Sequence, residues 1–313
     1  MKLFLISAWL VIVLALAQKV NGAYRADQPW ATPLINAVFK NDEDLVKRLL
    51  ANGANASATT GSGYTALMYA AKEGKEKMVE LLVTKAADAK ASTNYEGKTA
   101  LMYAARYGNK KMVELLLPKS DAKASNKNGQ TALMYAARYG NKDMLELLLS
   151  KSDAKATDKQ GYTALMYAAF YGTEQMVEVL LPKSDANARN NYDGYTALMY
   201  AARFGNKKMV EHLLPKSDAK AFNQKGLTAL MYAAQCGNKD LLELLLPKSN
   251  ANAFDKQGYT ALMYAVFYDD LQMVKILLPK SDAKATDGKG NSVLDLAKSF
   301  ENSEIVSLLQ QHN

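Results

Sequence analysis

The phrase Thr-Ala-Leu-Met-Tyr-Ala begins at Thr65, Thr99, Thr131, Thr163, Thr196, Thr228 and Thr260. Diverged copies begin at Thr32 (Thr-Pro-Leu-Ile-Asn-Ala) and Ser292 (Ser-Val-Leu-Asp-Leu-Ala). The spacings are 33, 34, 32, 32, 33, 32, 32 and 32 residues. Nine copies in phase at this period imply a solenoid, in which each unit buries its apolar faces on its neighbours and there is no single central core. The 313 residues suggest about two domains by length. Repetition overrides that prior, and one array spanning 24–313 is expected.

Each unit reads as two short helices and a turn. In the unit that starts at Thr131, the threonine hydroxyl is placed to cap a small, apolar helix over Ala132–Ala137. Gly140 is expected to end that helix in a left-handed conformation, and Asn141 to cap the next. Met144, Leu145, Leu147, Leu148 and Leu149 supply the second helix's buried face. Pro118, Pro182, Pro215, Pro247 and Pro279 stop the second helix in five units, because proline cannot continue a helix and disfavours helical geometry at the residue before it. The stretch before each threonine has no helical period and holds turn dipeptides such as Asn128-Gly129 and Asp193-Gly194. A β-turn finger fits it. Isolated helices shorter than ~12–15 residues are marginal in water, so stacking must supply the stability.

These residues resemble ankyrin repeats. Thr32-Pro33-Leu34 follows that family's Thr-Pro-Leu-His-x-Ala phrase, with Pro33 at the first helical position. Leu49-Leu50-Ala51-Asn52-Gly53-Ala54 follows its helix-end signature. Met68, Met102 and their later equivalents replace the motif histidine, and most units read Pro-Lys-Ser-Asp where the family has a Gly-Ala sequence. The resemblance implies an all-α solenoid of stacked helix-turn-helix units with β-turn fingers, and a concave groove that holds protein partners.

The N-terminus reads as an export signal over residues 1–22. Lys2 precedes an apolar run, Leu3 to Ala17, broken only by Ser7, with small residues before possible cleavage sites after Gly22 or Ala17. The run is shorter than the ~20 residues a membrane helix needs, so no membrane span is expected after cleavage. The mature chain is expected to be secreted or periplasmic. Its single cysteine, Cys236, has no internal partner and reads as a small apolar filler.

No motif calls for catalysis, a cofactor or a metal. His212 and His312 are far apart, and no phosphate loop, nucleophile elbow or zinc-binding helix occurs. Glu80, Glu114, Glu146, Glu178, Glu211 and Glu243 recur once per unit and read as a solvated face. Two methionine columns, one from Met68 to Met263 and one from Met78 to Met273, and the tyrosines from Tyr69 to Tyr264 read as packing between units.

Positions that vary between otherwise identical copies are candidates for recognition. Two lie at the end of the first helix: Arg106-Tyr107, Arg138-Tyr139, Phe170-Tyr171 and Arg203-Phe204 form the central stretch. A third precedes each threonine, as at Tyr162 and Tyr195. Tyrosine and arginine are enriched in interface hot spots. Two fingers carry an extra residue and a tyrosine near the tip, Tyr95 and Tyr192. The expectation is a monomeric, non-catalytic module that binds a protein partner outside the cytoplasm. Two alternatives stand beside it. One is an anionic surface or nucleic acid bound by loop lysines such as Lys119, Lys123, Lys151 and Lys155, part of a net charge of +8. Export and neighbouring aspartates such as Asp121 and Asp153 argue against nucleic acid. The other is a protective or chaperone-like partner of an exported enzyme.

Overall fold

The computed structural model describes residues 32–312 apart from 86 and 141. The signal reading for residues 1–22, both cleavage sites and the Asn141 cap lie outside the described residues. Among these, the chain forms eighteen α-helices in nine consecutive pairs. The pairs are α1 (Pro33–Lys40) with α2 (Glu43–Ala51), α3 (Ala66–Lys72) with α4 (Glu76–Thr84), α5 (Ala100–Tyr107) with α6 (Lys110–Leu116), and α7 (Ala132–Tyr139) with α8 (Lys142–Leu149). They continue with α9 (Ala164–Tyr171) and α10 (Glu174–Leu180), α11 (Ala197–Arg203) and α12 (Lys207–Leu213), and α13 (Ala229–Gln235) and α14 (Lys239–Leu245). The array closes with α15 (Ala261–Phe267) and α16 (Leu271–Leu277), then α17 (Val293–Ser299) and α18 (Ser303–His312).

The caps follow from the repeated phrase. Oγ1 of Thr65, Thr99, Thr131 and Thr163 accepts the N–H three residues on, at 3.2–3.4 Å, and each such cap contributes about 1 kcal/mol. Asn109, Asn206 and Asn238 cap the second helices of their units in the same way.

Two expected helix ends take a different form. Gly140 is extended, at φ −86° and ψ −156°, as are Gly108 and Gly172. In these units the preceding tyrosine stays helical and stacks on the tyrosine one turn back, Tyr139 on Tyr135 at 6.5 Å. Glycine is needed there for closeness: a Cβ at Gly140 would stand 2.7 Å from the Ala136 carbonyl oxygen. Gly74, Gly205 and Gly237 do take the left-handed form. The residue before each of the five prolines that follow second helices keeps helical geometry, as at Leu181 (φ −54°, ψ −40°). Pro182 then sits in a 3₁₀ turn, Leu181–Lys183, where its missing N–H falls beyond the α-helical ladder.

Leu165, Met166, Val177 and Leu180 and their equivalents along the array are buried between units, including both methionine columns. The glutamate ladder is exposed. The fingers close through isolated bridges such as Ser125↔Thr131 and Thr157↔Thr163. One backbone bond per step ties finger to finger: Lys127 N–H donates to Glu96 O at 2.8 Å, Lys159 to Asn128 at 2.9 Å, and Asn191 to Gln160 at 2.7 Å. Gly129 (φ +80°) lets its finger lie against the next, since a Cβ there would meet the Asp158 Cα at 2.9 Å.

The tyrosine column is held by a feature not anticipated from the sequence. Asn126, Asp158, Asn190 and Asn223 are buried in the fingers, and each Oδ1 accepts finger N–H groups, as Gln160 and Tyr162 donate to Asp158 at 2.9 Å. The remaining side-chain atom meets the tyrosine of the following helix. Tyr167 donates to Asp158 Oδ2 at 2.7 Å, and Asn126 Nδ2 donates to the Tyr135 hydroxyl at 3.0 Å. The signal was a polar Asn or Asp recurring at the repeat period.

Candidate protein-interaction surface

The ends of α5, α7, α9 and α11 carry the varying pairs on four consecutive units, and the structure brings them into one ladder. The Arg106 guanidinium lies 4.7 Å from the Tyr107 ring and 4.8 Å from Tyr139. Arg138 lies 4.8 Å from Tyr139 and 4.3 Å from Tyr171. Phe170 continues the row, 4.2 Å from Tyr171 and edge-on to Phe204 at 4.8 Å. Tyr107, Tyr139, Tyr171 and Phe204 are 41–52 % exposed, so the ladder orders large aromatic surface without hiding it.

Arg203 departs from the pattern. Its Nη1 donates to the Tyr195 hydroxyl at 2.9 Å, and its guanidinium lies over Tyr195 and Tyr232. Tyr195, expected on the recognition face, is only 6 % exposed: it stacks on Tyr200 and its hydroxyl is bonded to that of Tyr232. It is a strut between units and presents little surface. Tyr162 is half-buried, and its hydroxyl accepts from Tyr200 at 2.9 Å.

The fingers form the other wall. A pocket of about 210 Å³ opens between Glu96, Lys98 and Lys127 on one side and Arg106, Arg138 and Tyr139 on the other. Lys98 is paired with Glu96 at 2.9 Å, and Lys127 donates to the Asn94 carbonyl at 2.6 Å. Burial pushes the Tyr135 hydroxyl up to about 12, with the Arg106 charge opposing. Burial raises Tyr107 and Tyr171 as well, opposed by Arg106 and Arg138 respectively. These rings are neutral at physiological pH and present quadrupoles to the arginines.

Three further features bear on function. Tyr95 and Tyr192 stand at the finger tips, 77 % and 79 % exposed. Phe222 and Phe254 lie exposed beside a second pocket between fingers, at a position held by Ser125 and Thr157 in earlier units; that substitution of Phe for Ser or Thr was the signal that sequence reading missed. Cys236 is exposed rather than buried filler, because it stands at the end of helix one where the other units carry groove residues. Its thiol donates to the Arg203 carbonyl, and desolvation raises its pKa.

The loop lysines Lys123, Lys155, Lys220 and Lys284 are exposed. The aspartate two residues before each accepts that lysine's backbone N–H at 2.8–2.9 Å. Those aspartates therefore serve turn geometry, and among the described residues no ion pair involves these lysines. Also among the described residues, no three His, Cys, Asp or Glu side chains are placed to hold a metal ion, and no helix is long and apolar enough to cross a membrane. His212 is exposed in the last turn of α12.

Comparison with curated proteins returns no match. The family model for ankyrin repeats in three copies matches in eight overlapping windows, beginning with 12–93 and ending with 248–313. The chain belongs to the ankyrin-repeat family, whose members are typically non-catalytic protein-interaction modules.

Proposed function

We propose that this array is a monomeric, non-catalytic module that binds a protein partner outside the cytoplasm, through the groove between the fingers and the ends of the first helices. The observation that carries the reading is the ladder from Tyr107 to Phe204. It places aromatic and guanidinium groups, the types that dominate interface hot spots, in an ordered and exposed row at positions that packing leaves free to vary. A preordered row loses less conformational freedom on binding than free side chains would. Export rests on Lys2 and the apolar run Leu3–Ala17. A partner that is itself an exported enzyme, shielded by the array, falls within the same reading.

Capture from the exported fraction tests the binding role. The full array should retain a partner that an array carrying Arg138→Ala and Tyr139→Ala does not; equal retention by both contradicts the groove. N-terminal sequencing of exported protein should begin at Ala23 or Gln18, and an intact Met1 contradicts the signal. The unpaired lysines at 123, 155, 220 and 284 favour a second reading, an anionic surface bound by the loops. Its mark is steep loss of binding with added salt.

A further inference from the structure

Arginine carries five N–H donors in a planar fork, and stacking the plane on a ring leaves that edge free to bind. Arg106 and Arg138 both lie over rings: each guanidinium is 4.3–4.8 Å from the centroids of two exposed tyrosines and shares Tyr139 with the other. Among the described residues, neither forms a hydrogen bond or ion pair, and Nε of Arg138 is out of water with no partner. Of the two lysines lining the pocket, Lys98 is paired with Glu96 and Lys127 donates to a carbonyl, and Arg203 of a later unit is engaged by Tyr195. The only carboxylate lining the pocket, Glu96, is neutralised by Lys98. The site therefore holds two adjacent positive forks with unused donors, separated by an aromatic ring.

We propose that Arg106 and Arg138 form a paired carboxylate receptor, and that the partner segment they take is an acidic, proline-rich stretch with acidic side chains three residues apart. The inference rests on the groove reading above. The spacing follows from the repeat. Equivalent residues of adjacent packed helices lie about 8–10 Å apart. A polyproline II segment has three residues per turn and rises about 3.1 Å per residue, so residues i and i+3 share one face about 9 Å apart. The prolines between them then lie along the exposed edge of the Tyr139 ring, whose faces the two guanidiniums cover. Acidic residues four apart on a helix are only about 6 Å apart along its axis, short of that spacing. Single-stranded nucleic acid also offers anions and stacking surfaces, but it calls for a basic track along its backbone. Here the two forks sit side by side across one ring, and of the lysines lining the pocket Lys98 is paired with Glu96 while Lys127 is held at a finger carbonyl.

The test is fluorescence anisotropy with the full chain and a labelled peptide, Pro-Pro-Glu-Pro-Pro-Glu-Pro-Pro. Controls are the same peptide with both Glu replaced by Gln, a peptide with the two Glu adjacent, and an eight-nucleotide oligothymidylate. The account expects the Glu-Pro-Pro-Glu peptide to bind, and each control to bind at least about tenfold more weakly. Arg106→Gln and Arg138→Gln should each cost about tenfold. Arg106→Lys and Arg138→Lys should also weaken binding, because lysine lacks the fork. Glu96→Gln should leave binding equal or tighter, and Lys119→Ala with Lys151→Ala should leave it unchanged. Circular dichroism melts establish that every variant is folded. No measurable binding, equal binding of the Gln peptide, indifference to both arginine substitutions, or tighter binding of the oligothymidylate overturns the proposal. If the peptide fails while capture of a partner still depends on Arg138 and Tyr139, the acidic segment falls and the groove stands.

Discussion

The guanidinium of Arg138 lies 4.3 Å from the ring of Tyr171, one unit further along the array than its own tyrosine neighbour, Tyr139, at 4.8 Å. The contact crosses a unit boundary at an exposed edge. Exposed cation–π pairs contribute about 0.5–1 kcal/mol each, whereas the boundary itself is held by buried side chains such as Leu133 and Leu165. Arg138→Ala is therefore expected to lower unfolding free energy by only about 1–2 kcal/mol in urea titration, with unchanged helix content. Collapse of the array would show that the ladder is a structural support.

The polar struts behind the ladder should respond differently. Tyr167 donates to the Asp158 carboxylate at 2.7 Å, and Asp158 is 5 % exposed. Tyr167→Phe removes that donor and leaves a buried acceptor unsatisfied, at a cost of about 1–3 kcal/mol. Asp158→Asn should cost less, within about 1 kcal/mol, because Asn126, Asn190 and Asn223 fill the equivalent place in other units and donate to the tyrosine oxygen. Urea titrations of both variants check the order; a larger loss for the asparagine variant contradicts it.

Alkaline pH acts on the same column. Burial raises the Tyr135 hydroxyl from its ordinary 10.0 to about 12, and raises Tyr103, Tyr167, Tyr200 and Tyr232 as well. Between these values the unfolded chain releases protons that the folded chain retains, so the folded state binds more protons and stability falls as pH rises. The contribution is fully present below pH 10 and is lost as pH passes through about 12. Melting temperature should be insensitive to this group near pH 8–9 and fall as pH rises above 10. A melting temperature unchanged between pH 10 and 12 would contradict the burial.

The positions of the units and their helices were legible because capping and helix-stopping chemistry recurs at fixed intervals: Thr131 and Pro182 act through local geometry that a one-dimensional pattern preserves. The conformation of Gly140 was not legible, since it depends on Tyr139 stacking back on Tyr135 and extending the helix by one residue. The recognition row was legible as a set of varying positions, but its division into free and engaged arginines was not. That division depends on the residue eight positions upstream. Tyr195 offers an acceptor to Arg203, whereas Gln130 is taken by Tyr135 and Tyr167, and Lys98 faces Arg106 with a like charge. Tyr195 itself varies like a recognition residue, yet it is buried by the Tyr200 and Tyr232 rings that stack around it.

The most direct test of the groove is an internal comparison of affinities for the captured partner. One array carries Arg138→Ala with Tyr139→Ala; another carries Lys119→Ala with Lys151→Ala; melting curves establish that both are folded. Truncating a central anchor of a hot spot costs about 2 kcal/mol or more, roughly thirtyfold in affinity. The account predicts a loss of that size for the groove pair and little change for the loop pair. Loss with the loop pair and none with the groove pair would contradict it.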